Sequence, residues 1–85
     1  MEKTAGPYTP VVRSGDWIIV SGQIGHLDGV LVEGGLEPQL RQLFSNLKRL
    51  LASENATLQN VLKTTVFLTD IDDYGYMNEI YIEEF

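Results

Sequence analysis

The densest group of residues that could do chemistry is a run of three carboxylates, Asp70, Asp72 and Asp73. Carboxylate oxygens bind hard cations, but such sites usually need more oxygen ligands than this run supplies. The run also directly precedes a segment of helical character, where acids cap the first turn and complement the helix dipole. The sequence therefore favours a helix N-terminus here, and we expect no metal.

Residues 25–35 contain four of the eight glycines, a density that could suggest a phosphate-binding loop. Such a loop needs Gly-Lys-Ser/Thr, or a strand and a helix at fixed spacing, and the segment has neither. Asp28-Gly29 instead indicates a turn, followed by a short extra strand at Val30-Leu31-Val32. The single histidine, His26, lacks a second acid or base, so we interpret it as a solvated loop residue.

The composition restricts the function further. A chain of 85 residues allows one domain with a small core. The absence of cysteine excludes a disulfide, a thiol nucleophile and a thiolate metal site. A net charge of −6 disfavours binding to nucleic acid or to an anionic membrane. Because residues 1–20 lack the apolar core of a signal peptide, a cytoplasmic location is expected.

The elements that would position any site begin with two strands. Residues 9–13 are short and rich in β-branched side chains, and residues 17–24 begin with four strong β-formers. Ser14-Gly15-Asp16 between them predicts a hairpin turn. Pro10 indicates that the first strand lies at the edge of the sheet or begins at this residue.

A stripe of apolar residues at helical spacing predicts the first helix and is interpreted as core. Pro38 suits the first helical position, where a missing N–H costs nothing. Asn55 is predicted to end the helix in a left-handed conformation. The stripe consists of Leu36, Leu40, Leu43, Phe44, Leu47, Leu50 and Leu51.

Residues 62–69 predict a third strand with alternating faces. Leu62, Thr64, Val66 and Leu68 form the face expected to pack on the first helix. Phe67 lies on the other face and is too apolar for a plain solvent surface. It therefore indicates a subunit interface or the wall of a pocket.

A second helix is predicted after the carboxylate run, and its expected inward stripe is Tyr74, Met77, Asn78, Tyr81 and Phe85. The sequence closes with Glu83-Glu84-Phe85, where acids oppose the helix dipole and no glycine cap is present. The helix is thus expected to be incomplete. The layout of strands and helices predicts an α+β fold with the helices on one face of a sheet.

Four segments in this order resemble the RidA (YjgF) family of enamine/imine deaminases, over roughly residues 5–85. They are Gly6-Pro7-Tyr8, Ser21-Gly22-Gln23-Ile24, the run from Lys63 to Asp70, and Asn78-Glu79-Ile80-Tyr81. The resemblance implies one chorismate-mutase-like domain over residues 1–85, with an antiparallel or mixed sheet, two helices on one face, and the last strands missing. It also implies a homotrimer with pockets between neighbouring subunits.

The implied activity is hydrolysis of reactive enamines and imines, such as 2-aminoacrylate and 2-iminopropionate, to 2-keto acids and ammonia. The substrate is a small imine that bears a carboxylate, and no metal or organic cofactor is needed. By the family's pattern, the substrate-binding residues are Tyr8, Ser21, Gly22 and Asn78. Each residue also has an interpretation without a functional role. Tyr8 would cover the sheet edge and Ser21 would satisfy a local backbone group. Gly22 would form a bulge, and Asn78 would be a buried helix residue bonded to a loop.

The family's pattern also includes an arginine in a Pro-Ala-Arg segment, which binds the carboxylate, and a glutamate that helps to position water. Neither segment occurs in these residues, and Arg13, Arg41 and Arg49 do not match that arginine. The catalytic residues therefore stay unassigned. The alternative function is a non-catalytic module that binds small molecules or regulates. A ribonuclease, a role attached to some family members, is disfavoured by the acidic charge and the lone histidine.

Overall fold

The computed structural model describes residues 9–85, which form a small α+β fold, as predicted. Within this range two antiparallel hairpins precede a long helix, and a second helix packs against the first. None of the described helices is both long and apolar enough to cross a membrane. The elements are β1 Val11–Ser14, β2 Trp17–Val20, β3 His26–Leu27, β4 Val30–Leu31, α1 Leu36–Ala52 and α2 Tyr74–Glu84, with 3-10 helices at Leu58–Asn60 and Ile71–Asp73.

The first hairpin confirms the predicted turn. β1 and β2 pair from Val11 opposite Val20 to Ser14 opposite Trp17, and Gly15 takes a φ of 59° that favours glycine. The prediction that the second strand reaches residue 24 was wrong. Beyond β2, the Ser21 amide donates to the Pro10 carbonyl oxygen over 2.9 Å, and the chain then leaves the ladder.

The second hairpin confirms the turn at Asp28-Gly29 and the short strand after it. Asp28 and Gly29 have φ values of 54° and 82°, and two consecutive positive values are typical of a type I′ turn. His26 belongs to β3 and is half-buried, so its interpretation as a solvated loop residue was wrong. β3 contacts α1, which brings this hairpin onto the first helix.

Helix α1 confirms the apolar stripe, with Leu40, Phe44, Leu50 and Leu51 buried. Pro38 is the third helical residue rather than the first. The position still suits it, because the amides of the first helical turn have no acceptor inside the helix. Asn55 has a φ of 58°, and the Ala56 amide donates back to the Leu51 carbonyl oxygen over 2.9 Å, so the predicted left-handed ending is confirmed.

The carboxylate run caps the 3-10 helix Ile71–Asp73 that leads into α2, because Asp70 accepts from the Asp72 amide over 3.0 Å. Asp73 directly precedes α2 but makes no side-chain cap bond, so the predicted capping is confirmed one short helix earlier than expected.

The predicted inward stripe of α2 is confirmed only in part. Met77 is buried and Tyr81 packs against the core, whereas Asn78 is exposed and Tyr74 and Phe85 are 57% and 51% exposed. Ile80 is buried although the predicted stripe did not include it. The buried face of α2 contains Met77 and Ile80, which pack in one cluster with Leu40 and Phe44 of α1.

Residues 61–68 form no strand within the described chain, so the predicted third strand was wrong there. A strand exists through ladder hydrogen bonds to a neighbour, and none of the described strands pairs with this segment. Leu68 packs against the core, but Leu62 and Val66 are 81% and 40% exposed, and Thr64 is exposed as well. Most of the face predicted to pack on α1 is therefore open.

The core lies between α1 and α2 and consists of Leu40, Phe44, Met77 and Ile80. Phe44 is 1% exposed, and its ring meets the rings of Tyr81 and Phe85 edge-on at centroid distances of 5.1 and 5.6 Å. Burial of such a side chain contributes about 1.5–3 kcal/mol. Phe44 thus helps to hold α2 on α1.

Candidate functional site

Ser21 and Gly22 lie where β2 ends and the 21–26 loop begins. This segment comprises residues 21–25 and His26, the first residue of β3. The Ser21 side chain is half-buried, and its Oγ accepts a hydrogen bond from Gln23 Nε2 over 3.3 Å. Gln23 Nε2 also lies 3.3 Å from the Ser21 carbonyl oxygen. Because the hydroxyl accepts this bond, its own proton remains available to a further acceptor.

Gly22 presents an open peptide beside that hydroxyl. It is exposed, its φ lies outside the left-handed region, and an added Cβ would meet no heavy atom within 4 Å. Neither backbone conformation nor packing within the described residues therefore requires glycine here. A glycine at this position leaves room for another molecule to approach the backbone closely.

The far end of the 21–26 loop is fixed to α1 by a residue that the sequence reasoning missed. Asn46 is 5% exposed, and its Nδ2 donates to the carbonyl oxygens of Ile24 and His26 over 3.3 and 2.9 Å. The signal was present in the sequence, because Asn46 lies three residues after Leu43 and four before Leu50. That spacing puts it on the inward face of α1.

The structure does not join Asn78 to the other predicted site residues. Asn78 is exposed on α2, and within residues 9–85 no hydrogen bond connects it to Ser21 or Gly22. Its interpretation as a buried residue bonded to a loop is therefore wrong for the described chain. Tyr8 lies outside the described residues, so its assignment stays a prediction.

Two of the cations are held by carboxylates of the same chain. Arg41 contacts Glu83, and its Nη1 lies 3.0 Å from Glu84 Oε1. These hydrogen bonds, that of Glu83 first, raise the pKa of Arg41. Arg13 lies 2.9 Å from Glu54 Oε1 through its Nε. Both guanidinium groups thus serve contacts inside the fold.

Helix α2 is linked to α1 by further charged groups. Lys48 Nζ lies 2.7 Å from Glu84 Oε2, and this bond lowers the pKa of the Glu84 carboxyl. A hydrogen bond to Glu37 raises the pKa of Tyr76. Among residues 9–85 no group of three or more His, Cys, Asp or Glu side chains is arranged to hold a metal ion.

Comparison with known proteins assigns the chain to a family. The family model described as Endoribonuclease L-PSP matches residues 2–85. The chain belongs to the RidA/YjgF family. It is 36% identical, over 98% of its length, to a RutC family protein of Pyrococcus horikoshii. It is 43% identical, over 89% of its length, to a mouse protein named 2-iminobutanoate/2-iminopropanoate deaminase.

Comparison with solved structures also shows the RidA fold. The crystal structure of RidA from the Antarctic bacterium Psychrobacter sp. matches 98% of the chain with a TM-score of 0.91 and 28% identity. This match confirms the predicted chorismate-mutase-like α+β class. The chain spans 68% of the Pyrococcus protein, 58% of the mouse protein and 68% of the Psychrobacter chain.

Proposed function

We propose that the protein to which these residues belong hydrolyses reactive enamines and imines to 2-keto acids and ammonia. The observation that carries the proposal is the likeness to proteins named 2-iminobutanoate/2-iminopropanoate deaminase. The mouse protein is 43% identical over 79 residues, and the human protein is 40% identical over 82. These matches cover 89% and 94% of this chain, including its loop after β2.

The proposed reaction asks little covalent chemistry of the protein. Water adds to the C=N carbon, and the tetrahedral adduct expels ammonia to leave the 2-keto acid. The site must hold the substrate, orient the imine and position one water molecule. In this proposal the Ser21 hydroxyl donates a hydrogen bond to the substrate, Gly22 leaves room for the substrate to approach the backbone, and Tyr8 and Asn78 border the substrate.

The substrate carboxylate needs a cation to bind it, and two arginines of the described chain are already paired with carboxylates. Arg41 is engaged by Glu83 and Glu84, and Arg13 by Glu54. A guanidinium already paired with carboxylates cannot also offer a full bidentate face to a substrate carboxylate. We therefore infer that neither Arg13 nor Arg41 is the carboxylate-binding residue.

We also propose that the protein works as a homotrimer, with its pocket between neighbouring subunits. The support is the apolar surface left open by this chain, since Phe67, Leu62 and Ile71 are 92%, 81% and 77% exposed. Exposed apolar residues on this scale are typical of surfaces that contact another protein.

The proposed location is the cytoplasm, although relatives from two yeasts carry mitochondrial names.

The test uses the natural gene product and 2-iminopropionate, generated from alanine by an amino-acid oxidase. Hydrolysis is followed against a chemical trap for the imine. We expect the protein to accelerate hydrolysis without added metal, and Ser21→Ala to reduce kcat/KM about 10- to 100-fold. Ser45→Ala is the matched control, because Ser45 is exposed on α1 and has no hydrogen-bond partner within residues 9–85.

The other outcomes are equally informative. A folded trimer that does not accelerate hydrolysis would contradict the deaminase proposal. Saturable binding of a 2-keto acid without turnover would support the non-catalytic alternative instead. Cleavage of RNA that tracks with the protein through purification would point to ribonuclease activity, against the net charge of −6.

A further inference from the structure

Asn46 satisfies every hydrogen-bonding position of its side chain while it is 5% exposed. Its amide has two donor hydrogens, which go to the carbonyl oxygens of Ile24 and His26 at 3.3 and 2.9 Å. Its Oδ1 accepts from Gln42 Nε2 at 2.9 Å and from Arg49 Nη2 at 3.2 Å. A buried amide with all positions filled has one orientation, because any rotation would leave a polar group unpaired.

The backbone beside this amide is as tightly placed. Gly25 is buried, and an added Cβ there would lie 2.5 Å from the carbonyl oxygen of Gln39 on α1. Real Cβ atoms do not come so close to a backbone oxygen. The loop therefore packs directly on α1 at Gly25, and Asn46 binds the carbonyl groups of the residues on either side of that glycine.

The opposite end of the 21–26 loop is fixed independently. The Ser21 amide donates to the Pro10 carbonyl oxygen over 2.9 Å, which extends the β1–β2 ladder by one bond. Ser21 and Gly22 thus lie on a short segment with one end on the sheet and the other on α1. Because the segment is short, a shift at Ile24 or His26 must move Ser21 and Gly22 or strain the residues between them.

We propose that Asn46 is a positioning residue for the deaminase site, which sets the place of the Ser21 hydroxyl and the Gly22 peptide by binding the Ile24 and His26 carbonyl groups from α1. The inference rests on the proposed function. Asn46 touches no reacting atom in this proposal and acts through the loop alone. Its loss affects the rate of the chemical step more than the binding of the substrate carboxylate.

The test compares Asn46→Asp with Asn60→Asp in the full protein. The first replaces an amide that donates to two carbonyl oxygens by a carboxylate that repels them. The second makes the same chemical change where Asn60 Oδ1 only accepts, from the Thr57 amide at 2.9 Å and the Thr57 hydroxyl at 3.5 Å. A carboxylate keeps those bonds, so Asn60→Asp is the matched control.

We expect Asn46→Asp to lower kcat about 10- to 100-fold, with a smaller change in KM. We also expect faster hydrogen exchange at the amides of residues 21–26 than in Asn60→Asp. A folded Asn46→Asp protein with unchanged kcat, or with unchanged exchange in this loop, would overturn the proposal. A KM that rises alone would also count against it, because that result indicates lost binding rather than lost positioning.

Asn46→Ser provides a second variant that removes the amide without adding charge, for use if Asn46→Asp does not fold. If neither variant folds, Asn46 serves the folding of the whole domain and the positioning role is wrong. The exchange measurement needs no substrate, so it tests the contact even if the parent protein proves inactive on imines. In that event the deaminase proposal fails while the Asn46–loop contact stands or falls on its own result.

Discussion

Tyr81 on α2 donates a hydrogen bond from its hydroxyl to the Thr64 hydroxyl over 2.9 Å. Thr64 belongs to the segment 61–68, which has no ladder partner within the described chain. The Tyr81 ring packs at the same time against Phe44 and Phe85. One side chain therefore connects the helical core to a segment that is otherwise held mainly through Leu68.

Tyr81→Phe should loosen that segment and leave the core in place. The ring contacts remain, but the hydrogen bond to Thr64 is lost at an accessible site, so we expect a loss of about 0.5–1 kcal/mol in the free energy of unfolding. Urea denaturation measures the loss, and hydrogen exchange should quicken within residues 61–68. Tyr74→Phe is the control, because Tyr74 is 57% exposed. Equal effects of both substitutions would contradict the assigned contact.

Gly22→Ala should separate stability from activity. The backbone at Gly22 accepts alanine, and its Cβ would meet open space, so the loss of chain entropy in the unfolded state raises stability by about 0.4–1 kcal/mol. If a substrate approaches this peptide, the same methyl group should lower imine hydrolysis about 10-fold or more. The measurements are thermal unfolding and kcat/KM.

Gly75→Ala is the matched control for that experiment. Gly75 lies in α2, has no positive φ, and its added Cβ also meets nothing within 4 Å. Alanine there should stabilise the helix by about 0.5–1 kcal/mol. Retained activity in Gly22→Ala would remove Gly22 from the proposed site.

The sequence was most informative where one local rule decides the structure. The stripe that contains Leu40 and Phe44 has a single helical solution, and Gly15 and Asn55 take the left-handed conformations that their turns require. These features depend on neighbours within a few residues. They were therefore predictable without knowledge of what packs against them.

The sequence was least informative where pairing or packing decides. Residues 62–69 have the composition of a strand, but ladder bonds belong to two segments, and the described chain supplies no second one. In α2 the apolar residues surround the helix, so periodicity could not show that Ile80, which the prediction left out, is buried while Tyr74, which it included, is exposed. Packing in one cluster with Phe44 buries Ile80. For the same reason periodicity placed Asn78 in the inward stripe, whereas it is exposed. The proposed substrate-binding residues were named from the family resemblance alone.

The ion pairs of Glu84 make stability depend on pH. The Lys48 ammonium, and then Arg41, hold the pKa of the Glu84 carboxyl below its usual value. The folded state thus binds a proton less readily than the unfolded state. The resulting stabilisation is complete above the unfolded pKa of about 4.3 and disappears as the pH falls through the lower folded value.

Glu84→Gln should therefore be less stable than the parent at pH 6, and the difference should vanish in strong acid. Urea unfolding across this range measures it, with Glu79→Gln as the control, since Glu79 is exposed and has no ion-pair partner within residues 9–85. A difference between parent and Glu84→Gln that persists unchanged in strong acid would mean that packing, and not charge, is what Glu84 contributes.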